Sequence, residues 1–306
     1  MTAADPPTAE FSARPSTYRA WSTLLKVRLN LLVVVTTLAG FYLASDGFSA
    51  GTIDVVRCGW LLLGTTACAS GAGAFNQLWE RELDARMPRT RRRPVPSGAI
   101  SPTVAAVAAT VLCVGGVAVL AALVNLATAT LGLATILLYV LVYTPMKTRT
   151  TWCTLVGAVP GAIPPVMGAT GVLGWAGVVS PVSVSLFAIL VAWQMPHFWG
   201  LAVMFRKDYA AGGMKMLPVV DDAKLTRTGR SIMLWCSVLL GVSLLPWALG
   251  VTDGIYPAVA AALSGLMWAA GLNAALTPGR WEARGLFLVS IAYLPLLLLV
   301  LVATRA

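Results

Sequence analysis

The sequence predicts an all-α integral membrane protein, nine transmembrane helices packed in one bundle. Three observations lead there. Hydrophobic residues make up 58% of the 306 and charged residues only 11%, with a mean hydropathy of +0.80. An average soluble domain carries about 25% charged residues, so this chain cannot cover a water-soluble globule with polar surface. The apolar residues fall into nine runs, each close to the ~20 residues that cross a bilayer core. The basic residues crowd into the loops at one end of those runs, the pattern expected of cytoplasmic loops. A soluble fold, a disordered chain and a coiled coil are all excluded.

The nine runs are Leu29–Ala44, Cys58–Leu78, Thr103–Val124, Ala127–Tyr143, Trp152–Leu173, Val182–Phe205, Ser231–Gly250, Tyr256–Ala275 and Gly285–Ala303. The second and sixth are expected to continue past the bilayer as helix. Gly157, Pro160, Gly161, Pro164, Pro165 and Gly168 fall inside the fifth, where neighbouring helices can re-satisfy the backbone. Residues 1–22 are polar and rich in Pro, Ser, Thr and Ala, and read as a disordered cytoplasmic tail. Residues 23–306 read as one domain, without a visible repeat or linker. No cleavable signal peptide is apparent. Cys58, Cys68, Cys113, Cys153 and Cys236 show no paired spacing and read as small buried apolar residues.

The net charge is +10, which in a soluble protein would suggest nucleic acid. Here it is a topology signal, and no nucleic acid is expected. Arg14, Arg19, Lys26 and Arg28 precede the first run. Arg81, Arg86, Arg89, Arg91, Arg92 and Arg93 follow the second, and Lys147 and Arg149 the fourth. Arg206, Lys207, Lys215, Lys224, Arg227 and Arg230 follow the sixth, and Arg280 and Arg284 the eighth. Only Arg57 and Arg305 are left for the other side. The N-terminus is therefore expected in the cytoplasm and the C-terminus outside. The outer loops carry only Asp46, Asp54 and Asp253 as acids, so any chemistry belongs at the cytoplasmic ends.

Two acidic constellations sit there. The second run ends in NQLWERELDARMP, Asn76 to Pro88. Residues four apart share a helix face, so Asn76, Glu80 and Asp84 form a ladder of oxygen ligands, followed at once by Arg89 and Arg91 to Arg93. Hard oxygens hold Mg²⁺, and Mg²⁺ holds phosphate, while guanidiniums supply bidentate contacts to the remaining phosphate oxygens. The competing reading is a solvated helix end with internal ion pairs and a lipid-anchoring arginine run. The sixth run ends in WQMPHFWGLAVMFRKDY, Trp193 to Tyr209. His197, the only histidine, and Asp208 are eleven residues apart, about three turns, and so on one face of a continuous helix. An ionisable residue inside a span is a functional candidate. The alternatives are a hydrogen-bonded core histidine and an Asp208 that pairs with Arg206 or Lys207. Asp221 and Asp222 read as solvated charges. Lys147 with Arg149, and Lys26 with Arg28, can reach the same diphosphate or serve only as anchors.

With both helix ends in view, the sequence resembles the intramembrane prenyltransferases of the UbiA type, and among them the branch acting on haem. The resemblance covers nearly the whole chain after the tail. It is carried by NQLWERELDARMPRTRRRPVPSG (76–98), by Tyr143 to Lys147 with Thr150, and by WQMPHFWGLAVMFRKDYAAGGMKMLPV (193–219). Glu80 stands where the wider family most often has Asp. His197 stands where family members acting on quinone precursors carry an aspartate, while Asp208 is kept. Lys26-Val-Arg28 departs from a common Lys-Pro-Arg.

The resemblance implies a bundle around a central cavity open to the cytoplasmic side, in the cell membrane. It implies transfer of the farnesyl group of farnesyl diphosphate to the 2-vinyl group of haem B, with water addition, giving haem O. It further implies Mg²⁺ held by Glu80, Asp84 and Asp208, with Asn76 orienting a ligand. Arg89, Arg93, Lys147, Lys207, Lys26 and Arg28 are the implied diphosphate contacts. His197 and Trp193 are the implied contacts to the acceptor or to cationic intermediates. A downstream haem-modifying enzyme is a further partner the resemblance implies. Rival readings are the same chemistry on a quinone precursor or another tetrapyrrole, a polytopic transporter using Glu80, Asp84 and Asp208 as ion carriers, and a non-catalytic haem-binding assembly factor.

Overall fold

The computed structural model describes residues 16–45, 54–221 and 223–306. Among these, nine helices are long and apolar enough to cross a membrane, one for each expected run. The protein is a multi-pass membrane protein. In chain order the elements are α1 (Thr17–Leu24), α2 (Val27–Ala44), α3 (Val55–Trp79), α4 (Arg81–Arg86), α5 (Pro102–Leu123), α6 (Leu126–Leu137), a π-helical stretch (Leu138–Tyr143), α7 (Thr144–Met146), α8 (Cys153–Leu173), α9 (Pro181–Met204), α10 (Arg206–Ala211), α11 (Leu217–Val220), α12 (Thr226–Val242), α13 (Leu245–Ala248), α14 (Tyr256–Leu276) and α15 (Arg280–Ala303). Large apolar side chains such as Leu29, Val55, Leu63, Val111, Leu234 and Leu299 point outward. That is stable only against lipid.

Helix starts follow local chemistry. Ser101 before Pro102, Asn125, and Ser180 before Pro181 each accept a hydrogen bond from the backbone N–H three residues on. A side-chain acceptor at that position satisfies one of the orphan donors of the first turn, and proline at the first helical position loses nothing.

The structure corrects several expectations. Residues 17–22, expected within a disordered tail, lie in α1, capped by Ser16 and burying Ala20 and Leu24. Residues 1–15 lie outside the described residues, as do Asp46 and Asp222. The second and sixth spans do not continue as uninterrupted helix. α3 breaks at Glu80 (φ −88°, ψ 5°) and restarts as α4. α9 breaks at Phe205 (φ −111°, ψ 26°) and restarts as α10. Asp221, expected as a solvated charge, is buried and accepts from the Thr228 backbone N–H at 2.6 Å and its hydroxyl at 2.7 Å. It thereby serves orphan donors in the first turn of α12.

One core cluster joins α8, α9, α12, α14 and α15, and a second joins α3, α5, α6 and α8. Small residues bring spans close, as is usual where lipid offers no hydrophobic drive between helices. At the crossing of α2 and α8, a Cβ on Gly40 would fall on the Pro165 carbonyl, and one on Gly168 on the Thr37 carbonyl. Gly40→Ala and Gly168→Ala are therefore each expected to destabilise the bundle by about 1–3 kcal/mol, the usual range for overpacking. Thermal unfolding in detergent checks this, and midpoints equal to wild type would refute the close packing.

The two ends of the bundle are distinct. At one end Arg305 donates to the carbonyls of Tyr42 and Ser45, and the Ala306 N–H donates to Val251 O. The ends of spans one, seven and nine thus meet there, as an odd span count requires. The acidic constellations lie at the opposite end.

Candidate active site

Three spans end around one charged cluster. From α3, Asn76 is buried in the last turn, Glu80 sits at the break and Asp84 lies in the short α4; Glu80 is 2% exposed and Asp84 0%. From the fourth span, the π-helical stretch and α7 deliver Tyr139, Tyr143, Thr144 and Lys147. A π-turn inserts an extra residue per turn, which here brings both tyrosines (ring centroids 5.2 Å apart) towards the same cluster. From the sixth span, the break at Phe205 delivers Asp208 and Tyr209. The two acidic tips meet: Met87, Met214, Met216 and Ala202 share one buried apolar cluster.

Each carboxylate faces a cation. Lys147 Nζ is 2.7 Å from Glu80 Oε1, Arg93 donates to Asp84 Oδ2 at 2.7 Å, and Arg89 Nε is 4.0 Å from Asp208 Oδ2. Arg89 also lies over the Phe205 ring at 4.8 Å and the Tyr209 ring at 5.5 Å. No three His, Cys, Asp or Glu side chains gather in one group among the described residues. Glu80, Asp84 and Asp208 therefore stand as three ion pairs and not as one ligand set. Three carboxylates drawn together without a cation would repel, and partial burial makes that worse.

Burial pushes the Asp84 carboxyl above the usual carboxylate range, only partly offset by the Arg93 guanidinium. For Lys147 burial alone would lower the ammonium pKa. The Glu80 carboxylate, followed by Tyr143 and Tyr139, more than reverses this and raises it. The lysine stays charged.

A polar chain continues inward. Lys26 stands in a left-handed conformation (φ 52°) at the start of α2. Its ammonium donates to Asn76 Oδ1 at 2.9 Å and to the Tyr139 hydroxyl at 3.2 Å. Gly73 leaves room for its stem, since a Cβ there would come within 3.0 Å of Lys26 Cδ. Asn76 donates through Nδ2 to Thr144 Oγ1 at 3.2 Å, and Thr144 donates to Tyr139 O at 2.8 Å.

Of the residues singled out in the sequence, Lys26, Asn76, Glu80, Asp84, Arg93 and Lys147 come together here, with Arg89 and Asp208 beside them. Arg28 is exposed and makes no polar contact among the described residues. Lys207 is exposed and borders a cavity of about 450 Å³ that Arg206, Asp208 and Arg280 also line. Tyr139 and Thr144 were not singled out as site residues; the signal for Tyr139 is its spacing of eight residues from Lys147, and for Thr144 its place in the stretch Tyr143 to Lys147.

Deeper along α9, Trp193 and His197 form a second group. Trp193 donates through Nε1 to Ser290 O at 2.7 Å on α15, and its ring stacks on His197 at 4.9 Å. His197 is half-buried, with Nδ1 2.7 Å from Ser290 Oγ and the Phe287 ring 4.8 Å away. The expectation that His197 and Asp208 share one helix face is not met. The break at Phe205 separates them.

The carboxylates fit a divalent cation. Asp84 Oδ1 is buried without a hydrogen-bond partner, which is costly unless something positive meets it, and the donors are the hard oxygens Mg²⁺ prefers.

The chain matches the UbiA prenyltransferase family over residues 33–292. It is 42% identical over 301 residues to a protoheme IX farnesyltransferase of Anaeromyxobacter sp., covering 96% of this chain and 97% of that one. It is 40% identical over 285 residues to another from Solibacter usitatus, covering 91% and 96%. Among solved structures, a UbiA homologue from Aeropyrum pernix superposes with a TM-score of 0.72 at 15% identity, covering 90% of this chain and 98% of that one. One from Archaeoglobus fulgidus, bound to GPP and Mg²⁺, gives 0.62 at 14% identity, covering 93% and 100%. The structural neighbours speak for the fold and the sequence relatives for descent, and both lead to one conclusion: the chain belongs to the UbiA prenyltransferase family.

Proposed function

We propose that this protein transfers the farnesyl group of farnesyl diphosphate to the 2-vinyl group of haem B, giving haem O. The observation that carries the reading is the set of acid–base pairs closing one end of the bundle, with an imidazole held deeper in its apolar interior. The names of the relatives support the same substrates. The site faces the cytoplasm across the cell membrane, with the N-terminus inside, the C-terminus outside and a central cavity opening inward, as the arginine-rich loops argue.

Glu80 and Asp84, joined by Asp208, would hold Mg²⁺, whose charge offsets that of the departing diphosphate. Arg89, Arg93, Lys147 and Lys26 supply the cationic surroundings; Arg28 and Lys207, exposed outside the cluster, add only to the positive charge at this end of the bundle. Lys147 and Arg93 are released from carboxylates and turn to phosphate oxygens, so charge neutralised by protein acids becomes charge neutralised by substrate. Asn76 orients this cluster through Lys26. Breaking the C1–O bond leaves an allylic cation at C1 of the farnesyl chain. The vinyl group attacks it, and a cation forms beside the porphyrin. Water adds there and loses a proton. Trp193 and its aromatic neighbours stabilise cations without trapping them, and the apolar bundle limits early capture of the first cation by water. The product is then a substrate for a downstream haem-modifying enzyme.

Purified protein incubated with haem B, farnesyl diphosphate and Mg²⁺ is expected to yield haem O by mass spectrometry. EDTA is expected to stop the reaction and excess Mg²⁺ to restore it. Undiminished product in EDTA would overturn the metal's role. Transfer to a quinone precursor, with haem B left unmodified, would overturn the acceptor.

A further inference from the structure

We infer that Ser290 fixes His197 as the tautomer protonated at Nδ1, so that Nε2 presents its lone pair as an axial ligand to the iron of the tetrapyrrole acceptor. The inference deepens the proposed function and rests on it for the identity of that acceptor.

The argument is one of proton counting. Ser290 Oγ lies 2.7 Å from His197 Nδ1 and 2.6 Å from Phe287 O. A hydroxyl has one proton, and a carbonyl oxygen can only accept. The Ser290 proton therefore goes to Phe287 O, and towards His197 the hydroxyl is the acceptor. Nδ1 must carry a hydrogen. In a neutral imidazole that leaves Nε2 bare, the form in which histidine binds metals.

The rest of the group is built to hold that state. Ser290 is buried at 0% exposure, and its carbonyl is held by Trp193 Nε1 at 2.7 Å, so the serine is fixed from both sides. The imidazole is flanked by Trp193 (4.9 Å, interplanar angle 24°), Phe287 (4.8 Å, 30°) and the edge of Phe198 (5.4 Å). No protein atom pairs with Nε2 among the described residues. Metal-ligating histidines characteristically donate their other ring N–H to a fixed acceptor, which sets the tautomer and raises ligand basicity. Here the acceptor is a hydroxyl whose own proton is spent on a main-chain carbonyl. The depth fits as well. His197 lies seven residues before the end of α9, about 10 Å at 1.5 Å per residue. A macrocycle there would sit in the apolar layer, beneath the charged cluster that takes the diphosphate.

Ser290 is thus a positioning residue, and its test is spectroscopic. Haem B titrated into the full-length protein in detergent is expected to give an imidazole-ligated spectrum, with an Fe–His stretch in the ferrous state by resonance Raman. His197→Ala should lose that stretch and regain imidazole ligation when free imidazole is added. Ser290→Ala should shift the stretch and weaken haem affinity by about 10–100-fold, the usual loss on removing such a supporting partner, while leaving the KM for farnesyl diphosphate unchanged. Ser290→Thr should restore both. A His197→Ala spectrum identical to wild type would overturn the ligation, and a Ser290→Ala protein with unshifted stretch and full affinity would overturn the tautomer role. Haem O production is scored separately. Its absence from wild type would sink the proposed function, whatever the Fe–His signature shows.

Discussion

Asp84→Asn is expected to reduce haem O formation by at least about 100-fold, the scale on which removing one preorganised electrostatic contact slows an enzyme, while the protein still inserts and folds. Asn is close to Asp in size and can still accept from Arg93, whose guanidinium is 2.7 Å from Asp84 Oδ2. The charge is lost, and one carboxylate oxygen becomes an NH2 group. That charge sits in a fully buried side chain whose other oxygen has no partner, an arrangement that costs stability unless a cation repays it in function. Asp84→Asn should accordingly be no less stable than wild type. Mass-spectrometric rates beside size-exclusion profiles in detergent check both halves, and wild-type turnover would sink the metal assignment.

Glu80→Gln is expected to cost about 3–5 kcal/mol of stability, because the buried Lys147 ammonium loses its counter-charge even where the amide oxygen still accepts its hydrogen bond. The Lys147 side chain is 10% exposed and that of Glu80 3%, so water cannot take over the lost partner. The double variant Glu80→Gln/Lys147→Met should recover most of the stability and none of the activity. Thermal unfolding of the two single variants and the double gives the coupling directly. A double variant as unstable as Glu80→Gln alone would refute the pairing. The sign of the pH effect follows. The folded state raises the Lys147 pKa through Glu80, so this stabilisation is complete below the ordinary lysine range and is lost only as pH climbs through the raised value.

The spans, their number and their shared polarity were legible because hydropathy and loop charge are set residue by residue, by the bilayer and by insertion. That Asn76, Glu80 and Asp84 lie near one another was legible because spacing by four is a local property of a helix, although the break at Glu80 divides them between two helices. The breaks at Glu80 and Phe205 were not. Pro88 announces a stop eight residues beyond Glu80 but nothing announces one at Glu80 itself, and the break coincides with an ion pair to Lys147, 67 positions away in sequence. His197 stood out as the lone histidine, but its partner Ser290 is 93 positions away, and a serine in an apolar run carries no signal of its own. Asp221 was misread for a related reason. An acid beside loop lysines looks solvated until the fold turns the first turn of α12 onto it. Tyr139 was hidden by the π-helical stretch, which shifts the face that a regular 3.6-residue period would assign.

Where Gly40 and Gly168 let α2 and α8 cross, main chain rests on main chain. No side chain there can swing aside, so this seam of the bundle has no give and cannot work as a door. A bulky amphiphile arriving sideways from the lipid must part some other pair of helices, and a wedge placed at this crossing would spread the wall without opening a passage.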